Sequence, residues 1–132
     1  MIATTYKTRI TVLFLTFLIT ITAFAQGFDN IVTGFKNGDA AIVAKNFEGN
    51  VEITIKTGTT SYSKSQAELV LKSFFAAHKP KTFAIAHEGT SPQGSKYFIG
   101  NMTTASGNYR TYVYAKTLNS ELVIQEIRFE EE

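Results

Sequence analysis

The chain has 132 residues, 44% of them hydrophobic, with 13 basic against 11 acidic side chains, two histidines and no cysteine. Without cysteine there are no disulfides, thiolate metal sites or thiol chemistry, and two histidines with no H-x-x-x-H spacing exclude an all-histidine metal centre. No cluster of lysine and arginine provides the electrostatic footprint of a nucleic-acid surface, so neither nucleic acid, metal nor cofactor is expected.

Residues 1–25 stand apart from the rest. Lys7 and Arg9 precede the largely apolar run "ITVLFLTFLITI", and "AFA" at Ala23 to Ala25 supplies a small-x-small ending. This order reads as a secretory signal peptide cleaved after Ala25. The run is shorter than the roughly 20 residues that cross a bilayer, and no cysteine follows to carry a lipid. The expected product is a single domain, residues 26–132, periplasmic or secreted, with no membrane association after cleavage. Lys7 and Arg9 leave with the peptide, so the 13 basic residues fall to 11, matching the 11 acidic ones. Its length suits one hydrophobic core and leaves no room for a second.

Phe28, Ile31, Val32 and Phe35 recur at helical spacing, Asn37-Gly38 is a stop signal, and Asp39 is a cap for a second short helix over "AAIVAKNF", ending near Phe47. "VEITI" alternates as a half-buried strand, and "GTTSY" reads as a turn. In "YSKSQAELVLKSFFAAHKP", Ser63 and Gln66 form a capping box. Ala67, Val70, Leu71, Phe74, Phe75 and His78 make one apolar stripe, and Pro80 ends the helix. Four strand-like runs follow: "TFAIAHEG", "KYFIGNMTT", "NYRTYVYAKT" and "ELVIQEIRFE", separated by turn residues. In the last run Leu122 and Ile124 are even whereas Ile127 and Phe129 are odd, which predicts a bulge near Gln125. Helices early and strands late make an α+β domain: two short N-terminal helices, then one long amphipathic helix packed on a curved, mainly antiparallel sheet.

This order resembles the nuclear-transport-factor-2-like (cystatin-like) cone. "YSKSQAELVLKSFF", "AHEGTSPQGSKYFIG" and "LVIQEIRFE" are similar to motifs of a small exported domain family of unknown function from Bacteroidetes, placed in that superfamily. The resemblance spans nearly all of residues 26–132. It implies the cone fold and an exported location, and it brings no reaction with it.

Phe83, Ile85 and His87 alternate, so a regular strand points all three one way. If Tyr97 and Tyr109 share that concave side, then Phe74, His78, Phe83, His87, Tyr97 and Tyr109 line a cavity suited to a small apolar or amphipathic ligand. Phe98, Arg110, Tyr112 and Tyr114 then fall on the outer sheet face, more apolar than a solitary monomer exposes, and imply a homodimer or a docked partner. A third reading is a cofactor-free acid/base isomerase or dehydratase with His87 as base. Glu88 follows His87 directly and points away from it, so no orienting carboxylate is evident and the balance leans away from an enzyme. His78, at the helix C-terminus, also suits a simple dipole-complementing role.

Overall fold

The computed structural model describes residues 27–132, so the expected signal peptide and its cleavage point at Ala25 lie outside the described residues. Helix α1 (Asp29–Asn37) buries Ile31 and Phe35. It stops at Gly38, whose φ of 60° lies in the left-handed region that glycine enters without a Cβ penalty. There the Asp39 amide donates to the Gly34 carbonyl at 2.8 Å and the Gly38 amide to that of Phe35 at 3.3 Å, which closes the helix as a Schellman motif. Asp39 then opens α2 (Ala40–Ala44), its Oδ1 accepting from the amides of Ala41 at 3.1 Å and Ile42 at 3.2 Å.

Helix α2 ends at Ala44, short of the Phe47 boundary suggested by the sequence. Phe47 instead begins β1 (Phe47–Ile55) and pairs with Ile124. The Asn46 backbone and side chain bond to the last strand, Nδ2 donating to the Leu122 carbonyl at 2.9 Å. A second correction concerns "GTTSY", which is no turn but β2 (Gly58–Tyr62), paired antiparallel with β1. The reversal lies earlier, where Lys56 takes φ 58°. Helix α3 (Lys64–Ala77) carries the capping box: Ser63 Oγ accepts from the Gln66 amide and Gln66 Oε1 accepts from the Ser63 amide. It buries Ala67, Leu71, Phe74 and Phe75, of which the three large side chains contribute about 1.5–3 kcal/mol each.

The remaining strands are β3 (Pro80–Thr90), β4 (Lys96–Thr104), β5 (Gly107–Leu118) and β6 (Glu121–Glu131). The sheet order is β2-β1-β6-β5-β4-β3, with the β1–β6 pair parallel and the others antiparallel. Asn119 and Ser120 connect β5 to β6 with φ of 49° and 65°, the pair of left-handed residues that a tight hairpin turn requires. The expected bulge is at Gln125: Tyr114 pairs with Glu126 and Ala115 with Ile124, leaving Gln125 unpaired. That extra residue lets Leu122, Ile124, Ile127 and Phe129 all be buried.

The helix-covered face of the sheet is closed by phenylalanines. Phe35 of α1 stacks on Phe83 at 5.1 Å and meets Phe75, Phe98 and Phe129 edge-on. Phe74 of α3 stacks on Phe129 at 4.0 Å. Gly100 lies beneath the Phe83 ring, where a Cβ would stand 2.3 Å from Cζ, so the ring occupies the space that any side chain at 100 would need. These contacts join α1 and α3 to the interior strand β6, and α1 to the edge strand β3.

Candidate functional site

The face on which each strand residue lies follows from register. In β3, Ile85 pairs with Gly100 and His87 with Ile99, so Ala86 is an extra residue. A bulge of one residue exchanges the faces beyond it. Before it, Phe83 pairs with the buried Met102; after it, Glu88 pairs with the buried Phe98. His87 therefore lies on the outer face, opposite to Phe83, which corrects the alternation read from the sequence.

The phase of β4 is likewise reversed from the expected one. Met102 pairs with Tyr109 and Phe98 with Val113, all four buried on the inner face. Phe98, expected outside, is fully buried and packs edge-on against Phe28 at 4.8 Å. Tyr97, expected inside, is outside; its ring covers Gly89 and its hydroxyl stands 3.3 Å from His87 Nε2. The six residues assigned to a ligand cavity are thus divided. Phe74, Phe83 and Tyr109 are buried among rings, His78 is half-buried beside Tyr109, and His87 and Tyr97 share the outer face. Three surface pockets among the described residues are lined by other residues than these six.

His78 caps α3 and fastens it to the β4–β5 turn. Its Nδ1 lies 2.7 Å from Ser106 Oγ and 3.2 Å from the Tyr109 hydroxyl, while its ring packs on Phe74 at 4.9 Å. Burial, with the Glu131 carboxylate second, pushes the Tyr109 phenol above its ordinary pKa, so it stays protonated and can donate. Among the described residues no carboxylate forms an ion pair with either histidine. The arrangement at His87 therefore supplies no oriented acid/base pair.

Three rows cross the outer face. Glu52, Glu126, Tyr114 and Tyr97 are successive partners; Thr54, Arg128, Tyr112, Ile99 and His87 form the next row; Glu130, Arg110 and Asn101 form the third. Tyr97 and Tyr114 have ring centroids 5.9 Å apart. Tyr112 has two guanidinium groups over its ring, those of Arg110 and Arg128, each 5.8 Å from its centre. Arg128 also reaches Glu126 at 3.0 Å and Glu130 at 3.9 Å, and the hydrogen bond to Glu126 raises its pKa further despite partial desolvation. Arg110, Tyr112 and Tyr114 lie on the outer face. Ile99, Arg128 and Glu126 were not singled out from the sequence, because their place depends on the β4 phase and on the Gln125 bulge.

Where both β1 and β6 lose register, a groove of about 450 Å³ opens, with Glu52, Tyr114, Gln125 and Glu126 in its lining. Two further pockets, of about 270 and 350 Å³, lie beside Phe28 and Glu88 and beside Lys45 and Glu121.

Comparison with known proteins places this geometry among relatives. The family described as "Domain of unknown function (DUF4783)" matches residues 28–130. A DUF4783 family protein from Bacteroides fragilis has a TM-score of 0.74 at 28% identity, covering 78% of this chain and 96% of that one. Another, from Bacteroides ovatus, has a TM-score of 0.75 at 25% identity, covering 78% and 93%. An NTF2-like protein of unknown function from Shewanella baltica has a TM-score of 0.58 at 12% identity, covering 80% and 87%, a likeness of fold alone. No curated protein matches the sequence.

Proposed function

Because the chain belongs to the DUF4783 family of domains of unknown function, whose membership carries no reaction, we propose that it is an exported, non-catalytic interaction module. It works through the outer face of its sheet, and its partner is a second copy of itself. The observation that carries this reading is the contiguous Tyr97, Ile99, Tyr112 and Tyr114 cluster, with Arg110 and Arg128 laid over Tyr112. Tyrosine and arginine are the residues that dominate interface energetics, and a guanidinium stacked on a ring needs little further ordering to be buried.

The charges suit self-association. Glu52, Glu126 and Glu130 lie on β1 and β6, where Arg128 pairs with the last two, and Arg110 and Lys116 lie on β5. A two-fold axis between β5 and β6 sets each of these strands against the other in the partner. The five longer strands, spaced by about 4.8 Å and roughly 30 Å long, present about 700 Å², close to the roughly 800 Å² that each partner gives to a stable interface.

The apolar-ligand reading has less behind it, since the stacked pairs Phe74–Phe129 and Phe35–Phe83 fill the space between helices and sheet. The acid/base reading lacks a carboxylate at His87. Native mass spectrometry of the protein purified from a bacterial periplasm separates the three. A dimer without added mass, converted to monomer by Tyr112→Ser with Tyr114→Ser, is the expected result. A monomer at about 100 µM, well above a micromolar Kd, overturns the proposal, and an added small mass lost on denaturation moves the case to a ligand.

A further inference from the structure

The groove at the bulged end of the outer face shares Tyr114, Glu52 and Glu126 with the proposed interface, but Asn50, Ser61 and Gln125 give it a chemistry of its own. Two neighbouring ladders fail there at one level. Between the pairs Phe47–Ile124 and Glu52–Glu126, β1 advances five residues while β6 advances two. In the same span of β6, Gln125 is unpaired against β5. Bulges bend strands and re-aim side chains, and they are over-represented beside binding sites. The result is the groove of about 450 Å³, lined by Asn50, Glu52, Ser61, Tyr114, Gln125 and Glu126 among others.

Its lining decides what fits. It includes no lysine or arginine, and Arg128, the guanidinium beside it, is already engaged by Glu126, so an anion would meet the Glu52 carboxylate without compensation. An apolar ligand would desolvate two carboxylates, two carboxamides and three hydroxyls without replacing their hydrogen bonds. A neutral, polyhydroxylated ring satisfies both conditions. Its hydroxyls donate to Glu52 and Glu126 and exchange hydrogen bonds with Asn50, Gln125 and Ser61. Its C–H face lies on the Tyr114 ring, which is 37% exposed and backed by Tyr97 at 5.9 Å.

Two further details favour such a ligand. Glu126 is held by Arg128 at 3.0 Å, so one acceptor is already oriented. Glu52 is its direct partner on the adjacent parallel strand, about 4.8 Å away in backbone spacing, close enough for one sugar ring to reach both carboxylates. We propose that this groove is a binding site for a neutral pyranose unit of a glycan, held between the Glu52–Glu126 pair and the Tyr114 ring.

The test is a ¹⁵N-resolved NMR titration with glucose, galactose, mannose and N-acetylglucosamine, each raised to about ten times a millimolar Kd. It is run on the unmutated protein and on Tyr112→Ser, so that a dimer covering the groove cannot hide binding. The expected result is a saturable shift of residues 50–52, 114 and 125–126 with at least one sugar, in either protein. Glu52→Gln and Tyr114→Ala should each weaken it about tenfold, the effect of losing one charge-assisted hydrogen bond or the stacking surface. Both substitutions are at exposed positions, and the undisturbed spectrum elsewhere reports that they fold. No shift in either protein with any of the four sugars overturns the proposal. So does a shift that both variants retain, and so does binding of spermidine in preference to sugars, lost at high salt, which would make the groove a cation site. The dimer proposal fails or survives separately, on the mass of the unmutated protein.

Discussion

Thr111→Val offers the sharpest test of the packing. Thr111 lies on the inner face of β5, paired with Gly100 on one side and Phe129 on the other, with no exposed surface. Its hydroxyl is buried without a hydrogen-bond partner. Leaving such a group unsatisfied costs about 1–3 kcal/mol, because the folded state returns nothing for the water it removes. Valine has nearly the same shape and a strand preference as strong, so the substitution should stabilise the domain by about 1–2 kcal/mol. For a domain of this size that is a rise in Tm of about 4–8 °C per kcal/mol. With a urea m-value of about 1–1.5 kcal/mol/M, the midpoint should move up by about 1 M while m is unchanged. Thr111→Ser, which keeps the hydroxyl and removes the methyl, should move the midpoint down. Equilibrium urea unfolding followed by far-UV circular dichroism measures all three proteins. A loss of about 1 kcal/mol in Thr111→Val would refute the reasoning, since that is the net worth of a hydrogen bond the hydroxyl would then have to be making.

Two other substitutions probe the same core. Gly100→Ala places a Cβ against Phe83 Cζ and should cost about 1–3 kcal/mol by overpacking. Phe83→Leu in that background should recover part of the loss, so a double-mutant cycle in urea that proves additive would show the ring is not seated there. Tyr109→Phe addresses pH. Since burial and Glu131 raise the folded-state pKa of Tyr109, its contribution is fully present below about pH 10, the unfolded value, and is lost as pH rises through the folded pKa. The unmutated protein should therefore lose more stability than Tyr109→Phe above about pH 10, and parallel pH profiles of the urea midpoint would contradict this.

How much of this was legible in the sequence can be argued element by element. The Gly38–Asp39 junction and the Ser63–Gln66 capping box were readable because a cap involves residues within four positions of one another. The Gln125 bulge was readable because a half-buried strand that changes the parity of its apolar residues has few other ways to bury them. Strand β2 was missed because Thr59, Thr60 and Ser61 are exposed on an edge, so no alternation marks them. The Ala86 bulge was missed because Phe83, Ile85 and His87 keep an unbroken alternation that suits a regular strand equally well.

By itself the sequence determined the Gly38–Asp39 and Ser63–Gln66 caps and that the chain is α+β, since these depend on local hydrogen bonding and on the period of apolar residues; the end of α2 at Ala44 and strand β2 needed the pairing of β1 with its neighbours. The faces of β3 and β4 were decided only by tertiary pairing. One unpaired residue at Ala86 carries His87 to the outside, and the partners of Met102 and Phe98 place Tyr97 there too. The groove belongs to the same class, because it needs β1 and β6, the first and last strands, to meet side by side with their irregularities at one level. Period two specifies that neighbours along a strand lie on opposite faces; it does not specify which face meets the helices.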